Sequence, residues 1–259
     1  MENYQDENKG VIEIPLMKNL LLFLIGWLGL SVFASIISVI ITSIINVKDA
    51  SESLTVTLNC IVNFGAYLLI FVSLFIAMGK DLIKRVFIDY TKVKKVLKGI
   101  LFGIIVLGAQ LVYNLIIQNL VPGITSNNNQ TNVVAMVHSQ PVMMFISVVI
   151  LAPICEEITY RLGLFGAIYK KNRILAHILA ALFFGLLHSI FLSTDVFTAT
   201  GEEMLNELLN LPSYIIPGLI FSIAYENEKS LTTSITAHMV NNLVSFISVL
   251  TASQILLFR

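Results

Sequence analysis

Long apolar runs recur along the whole chain, and their length leaves few folds open. About 20 apolar residues in a helix cross the hydrocarbon core of a bilayer. Seven runs reach or approach that length: Leu20–Val47, Leu54–Met78, Gly99–Leu120, Val142–Tyr169, Ile174–Leu192, Ser213–Tyr225 and Leu231–Phe258. In hydrocarbon each backbone N–H and C=O must find a partner inside the protein, so such runs become helices. The expected fold is all-α, a polytopic transmembrane helical bundle of about seven spans. Composition agrees, with 12% charged residues against about 25% in soluble domains.

The runs differ in detail. The first, fourth and last are longer than a span needs, so tilt or breaks are expected. The sixth is short and is flanked or interrupted by Pro212 and Pro217, which predicts a broken or re-entrant segment. The first run is too long for the core of a cleaved leader, and is read as a retained span. The organisation expected is a polar tail over residues 1–16, membrane helices over 17–141 with a basic segment at 79–98, and a functional core over 142–259.

Basic residues orient the bundle. With the N-terminus inside, the cytoplasmic side receives Lys9, Lys18, the seven basic residues from Lys80 to Lys98, Lys170, Lys171, Arg173 and Lys229, thirteen of the sixteen Lys and Arg. The outer loops Asn119–Pro141 and Ser193–Pro212 contain neither. The positive-inside rule then predicts a multi-pass cell-membrane protein with a cytoplasmic N-terminus and an outer C-terminus. Lys80–Lys98 reads as an amphipathic helix on an anionic leaflet or as a solvated loop, and the Asn-rich stretch Ser126–Asn132 as an exposed turn. No basic cluster interleaved with aromatics suggests nucleic acid.

Chemistry concentrates in three runs. Glu156 and Glu157 lie side by side in the fourth, where a charge costs roughly 2.5 to 3.5 kcal/mol even on lenient insertion scales. On a helix, Glu157 and Arg161 share a face and can pair, while Glu156 points elsewhere. Glu156 is therefore the candidate reactive carboxyl. The fifth run carries Phe184 and His188 and the last carries His238 and Asn242, which share one face at i, i+4. By helical rise, Glu156, His188, His238 and Asn242 lie roughly 20, 21, 11 and 17 Å from the cytoplasmic ends of their runs, so their depths are compatible. His177 and His138 read as surface or interface residues, and Cys60 and Cys155 as buried free thiols.

These residues resemble a known family, the CAAX prenyl protease and bacteriocin-processing intramembrane endopeptidases (CPBP, or Abi). Its ordered pattern is matched by Glu156-Glu157-Ile-Thr-Tyr-Arg161, Phe184-Gly-Leu-Leu-His188 and His238-Met-Val-Asn-Asn242, over about Val142–Val249. One departure is visible: the glycine that commonly follows the arginine directly is displaced by one, to Gly163, which bears on local packing. The resemblance implies Glu156 as general base, His188 assisting or holding the water, and His238 and Asn242 polarising the scissile carbonyl. Glu157, Arg161 and Phe184 are supporting residues. The implied partners are the lipid bilayer and a peptide or protein substrate, lipidated or not. Zinc or another divalent metal is compatible with Glu156, His188 and His238, but the H-E-x-x-H helix of zincins is absent, and a metal-free mechanism is preferred slightly. The alternatives are a non-catalytic membrane immunity or scaffold protein and a proton-coupled transporter. A Cys155 nucleophile is disfavoured, because the adjacent carboxylates oppose a thiolate.

Overall fold

The computed structural model describes residues 11–45, 50–189 and 197–257, and side chains as far as residue 251. Expectations for Lys9, Lys48 and Arg259, and for Ile190–Leu192 at the end of the fifth run, lie outside the described residues. The described chain is helical throughout. In order it forms α1 (Leu16–Ile44), α2 (Glu52–Phe87) with a 3₁₀ turn at Ile88–Thr91, α3 (Val93–Leu120) and α4 (Asn128–Ser139). Then come α5 (Pro141–Tyr169), α6 (Arg173–Leu187), α7 (Gly201–Asn210), α8 (Pro212–Glu228) and α9 (Leu231–Leu257). Six stretches are long and apolar enough to cross a membrane, and α6 is a shorter apolar helix of 15 residues. The chain is a multi-span membrane protein with an all-α bundle.

α5 forms the axis of that bundle. In its most apolar stretch 61% of residues are buried, against 17% in α1 and 11% in α3, whose outward faces carry exposed Leu, Ile and Val. α1 packs along α2 and α5, α9 along α3, and α8 along α6. The displaced glycine finds its reason here. A Cβ at Gly163 would stand 2.8 Å from the backbone nitrogen of Phe23, so only glycine lets α1 cross α5 this closely.

α5 is not a uniform α-helix. Phe145–Leu151 and Ile158–Phe165 are π-helical and bracket the α-helical Ala152–Glu157. The N–H of Ala152 reaches Ser147 O, and that of Gly166 reaches Arg161 O, five residues back. In this register the donor for Val148 O would be residue 153, which is proline and has no N–H. Asn242 Nδ2 donates to that carbonyl instead, at 2.8 Å. Leu162 O is likewise met by the side-chain amide of Asn19. The long fourth run thus keeps its length by widening its turns, with side chains of neighbouring helices taking the freed carbonyls.

The sixth run departs from expectation. It is not broken at Pro217: α8 has 17 residues, with Pro212 in its first turn and Pro217 inside it, and follows α7 after a turn at Leu211, the two making a 28-residue stretch, Gly201–Glu228. Pro217 cannot bond the carbonyl four residues back, at Ser213. Gln110 Nε2 from α3 donates to it at 2.9 Å, which supplies the missing partner and lets the helix continue.

Ser126–Asn132 is exposed at four of its seven residues, as expected, but it is the capped start of α4 and not a turn. Asn127 is buried and caps α4, its Oδ1 accepting from Gln130 N at 3.0 Å, as short polar side chains do at helix starts. Glu207 of α7 accepts from Asn128 N at 2.9 Å. Asparagines that read as loop formers are cap residues. In the basic segment, α2 turns at Gly79 (φ 71°) and continues as a helix to Phe87, with Leu82 and Val86 buried and Lys84 and Arg85 exposed. This is the amphipathic reading.

Candidate active site

The fifth run also ends earlier than its hydropathy suggests. α6 stops at Leu187, and His188 is its C-terminal cap residue, with its N–H bonding Gly185 O at 3.0 Å. Asn127 Nδ2 from the α4 cap donates to His188 O at 2.9 Å, meeting one of the carbonyls that every helix C-terminus leaves free. His188 Nδ1 lies 2.8 Å from Phe184 O, and its ring stacks on Tyr214 at 4.8 Å. The residue is held at its backbone carbonyl, at Nδ1 and on one ring face, which leaves Nε2 open.

Glu157 and Arg161 form the expected i, i+4 pair, both fully buried, with Nε to Oε2 at 2.9 Å and a second bond at 3.3 Å. The pair is larger than the sequence suggested. Ser234 Oγ donates to Glu157 Oε2, and His238 Nδ1 lies 3.1 Å from Glu157 Oε1. Arg161 NH1 has no hydrogen-bond partner among the described residues, but the guanidinium lies 5.8 and 5.9 Å from the ring centroids of Phe184 and Phe221. Cation–π attraction in a desolvated site recovers part of the lost solvation.

Glu156 stands apart from this cluster. Tyr67 Oη of α2 donates to its Oε1 at 2.7 Å, whereas its buried Oε2 accepts no hydrogen bond among the described residues. His238 Nε2 is 3.8 Å and His188 Nε2 4.0 Å from that oxygen. Phe184 packs its ring 4.9 Å from His188 and 5.5 Å from His238, and so fills the space between the two imidazoles. The four candidate catalytic residues and Phe184 meet here, while Glu157 and Arg161 lie behind them. Glu156, His188, His238, Asn242 and Phe184 line one cavity of about 200 Å³.

Hydrogen-bond bookkeeping assigns the tautomers. Phe184 O and the carboxylate of Glu157 only accept, so each histidine places its proton on Nδ1. In the neutral form both Nε2 atoms then present lone pairs towards Glu156 Oε2. Such a trio calls for a proton, a water or a cation between its members.

The donor types suit zinc, and an acceptor on each histidine's far nitrogen is the usual support for a metal ligand. The spacing is wider than a zinc shell. Ligands at about 2.0 to 2.1 Å in a tetrahedron stand about 3.3 Å apart, against 3.8 and 4.0 Å here. Among the described residues no group of three His, Cys, Asp or Glu side chains has metal-ligand spacing.

The sequence reading missed the contribution of the N-terminal helices. Tyr67 and Asn63 both line the cavity, and Asn63 Oδ1 accepts from Ser147 Oγ of α5 at 2.6 Å. Their i, i+4 spacing, which puts two polar groups on one face of an apolar run, was the available signal. His177 bridges Ser222 and Glu226 across the α6–α8 interface at 2.7 and 2.9 Å, the interface role expected for it. His138 is exposed on α4, and both cysteines are free and buried.

Comparison with known proteins points the same way. Residues 138–244 match the sequence model of the family described as Type II CAAX prenyl endopeptidase Rce1-like. An uncharacterised protein of Mycoplasma capricolum is 30% identical over 151 residues, 55% of this chain and 40% of that protein. The membrane-embedded CAAX protease MroQ of Staphylococcus aureus is 29% identical over 140 residues, 51% of this chain and 49% of MroQ. The chain thus spans less than half the length of these relatives. No solved structure matches. The resemblance read from the three motifs is borne out: in its C-terminal half the chain is similar to the Rce1-like CAAX prenyl endopeptidases, and the matched segment contains every motif residue of the site.

Proposed function

We propose that this chain is an intramembrane endopeptidase that hydrolyses a peptide bond of a membrane-associated peptide or protein, lipidated or not, using water activated by Glu156. The observation that carries the reading is the buried Glu156 Oε2, free of hydrogen bonds among the described residues and flanked by two imidazole nitrogens at 3.8 and 4.0 Å. Tyr67 occupies the other oxygen, so the open one is the proton acceptor.

Charge balance supports a division of labour. Glu156 and Glu157 carry two negative charges and Arg161 one positive, so one further proton neutralises the buried cluster. The oxyanion role given to His238 requires a proton on its Nε2 as well as on Nδ1, and the mechanism places it there, with the Glu157 carboxylate 3.1 Å from Nδ1, whereas His188 faces a neutral carbonyl. As an imidazolium, His238 donates from Nε2. His188 stays neutral and accepts a water proton at Nε2. A water oxygen about 2.8 Å from Glu156 Oε2 and His188 Nε2 then has a lone pair free for the scissile carbonyl.

As its oxygen attacks, its proton passes to Glu156 Oε2. The carbonyl oxygen takes up negative charge and receives hydrogen bonds from His238 Nε2–H and the second amide proton of Asn242, the first being given to Val148 O. Stabilising donors of this kind contribute about 2.7 to 4 kcal/mol each in other enzymes. The proton on Glu156 is then delivered to the leaving amine as the C–N bond breaks, which restores the carboxylate.

This reading is metal-free. A divalent metal such as zinc would be held by Glu156, His188 and His238 after a small closing of their spacing, and would supply Lewis-acid polarisation of the carbonyl. Chelator treatment of the purified protein separates the two: full activity after dialysis against a strong chelator is expected, and loss that added zinc restores would overturn the metal-free form.

The test of the function itself is cleavage of membrane-tethered peptides, prenylated and unprenylated, by the purified protein in detergent. Glu156→Gln keeps the shape and the acceptor for Tyr67 but removes the base. Its kcat should fall by about 10² to 10⁴, with His188→Ala also impaired. Wild-type rates in Glu156→Gln would sink the assignment.

A further inference from the structure

Beside the motif asparagine lies a second one that the motif does not specify. Asn241 is 8% exposed, lines the same cavity as Glu156, and its Oδ1 is buried without a hydrogen-bond partner among the described residues. Its orientation follows from its neighbours. Val148 O can only accept, so the group that Asn242 turns towards it must be the NH₂. That leaves Asn242 Oδ1 as an acceptor, which Asn241 Nδ2 fills at 3.1 Å. Both amides are thereby fixed, and the free end of Asn241 is an acceptor. A buried acceptor left unmet costs about 1 to 3 kcal/mol, so a group held at that place for no use would be selected poorly.

The rest of the cavity indicates what donor it awaits. Asn63, Gln110, Asn129 and Gln130 add carboxamides to the lining, and no Lys or Arg is among the lining residues. A neighbouring cavity of about 370 Å³ shares Gln110, Gln130, Tyr214 and Ser245 with the first and is lined by further Asn, Gln, Ser and Thr. Carboxamides are neutral groups that donate and accept together, as the peptide unit does. A charged headgroup or a free terminal carboxylate finds no Lys or Arg here to pair with, and the charge placed on His238 is already balanced by the two glutamates, whereas the interior of an extended peptide finds partners for its own amides.

We propose that this amide-lined cavity binds an uncharged stretch of extended peptide through its backbone, and that Asn241 Oδ1 accepts one substrate N–H close to the scissile bond, setting which carbonyl meets Glu156. Asn241 is thus a substrate-binding residue that fixes register. The inference rests on the endopeptidase reading given above and adds the group it recognises.

Amide-to-ester replacement tests it, because an ester keeps the chain's shape and loses one N–H. In a membrane-tethered peptide that the wild type cleaves, each non-scissile amide within three residues of the cut is replaced in turn. At one position the ester should lower kcat/KM about 10-fold in the wild type. In Asn241→Leu, which has no acceptor, the amide substrate should already be slow and the same ester should cost less than about 2-fold, the signature of a shared interaction. Asn241→Asp, which keeps an acceptor oxygen, should keep the ester sensitivity and serves also where the leucine variant does not fold. Ester penalties of equal size in wild type and Asn241→Leu, or no sensitive position at all, would overturn the inference while leaving the endopeptidase standing. Failure of the wild type to cleave any peptide of the panel would remove both.

Discussion

Two adjacent glutamates of identical chemistry are given different surroundings. Glu157 is surrounded by donors, from Arg161, Ser234 and His238, and is locked as a structural carboxylate. Among the described residues Glu156 has one donor, Tyr67, on one oxygen. That hydroxyl comes from α2, outside the segment matched by the family model. If it holds Glu156 in register, Tyr67→Phe will lower kcat by about 10-fold with little change in KM, since one lost hydrogen bond to a charged group is worth about 1.5 to 3 kcal/mol. Peptide cleavage kinetics on the purified variant check this, and an unchanged kcat would leave Tyr67 a packing residue. The pairing of Glu157 with Arg161 was legible from spacing alone, because i, i+4 residues meet on any helix. Tyr67 was not, because which helix lies against Glu156 is decided by packing between segments 89 residues apart.

At the scale of the elements, one device recurs. Where a proline or a widened turn deprives a carbonyl of its helical donor, a side-chain amide from another helix supplies one: Asn242 for Val148, Asn19 for Leu162 and Gln110 for Ser213. In a membrane interior an unmet carbonyl has no water to fall back on. Gln110→Leu should therefore destabilise the protein by about 1 to 3 kcal/mol. Pro217→Ala restores a backbone donor for Ser213 O, so on that background Gln110→Leu should cost measurably less. Thermal unfolding in detergent of the four proteins of this cycle gives the coupling, and strictly additive losses would show that Gln110 acts elsewhere. Hydropathy located these helices and prolines marked their weak points. It misjudged the sixth run because the repair of Pro217 comes from α3, which no local pattern around the proline reveals.

The whole molecule has two unlike faces. The end of α2, the start of α3 and the turn joining them, together with the turn between α5 and α6, carry Lys80, Lys84, Arg85, Lys92, Lys94, Lys95, Lys170 and Lys171, while α4 and α7 at the other end have no Lys or Arg. Positive charge is retained on the cytoplasmic side during insertion. Cysteine introduced at the exposed Glu202 should react with a membrane-impermeant maleimide in intact cells, and cysteine at the exposed Lys171 only after permeabilisation. The two native thiols are buried and give little background. The reverse pattern would invert the orientation.

The amino-acid sequence by itself determined that the chain is a helical membrane bundle, which polar residues of the last spans gather at one cavity, and which carboxylate pairs with Arg161. These depend on hydropathy, on helical period and on ordered motifs, all properties of neighbours along the chain. Only the tertiary structure decided that His188 ends a helix, that Tyr67 bonds Glu156, and that Asn241 presents an acceptor unmet among the described residues. Each of those depends on a hydrogen bond between helices distant in sequence, and such bonds are set by where the bundle lets backbones approach.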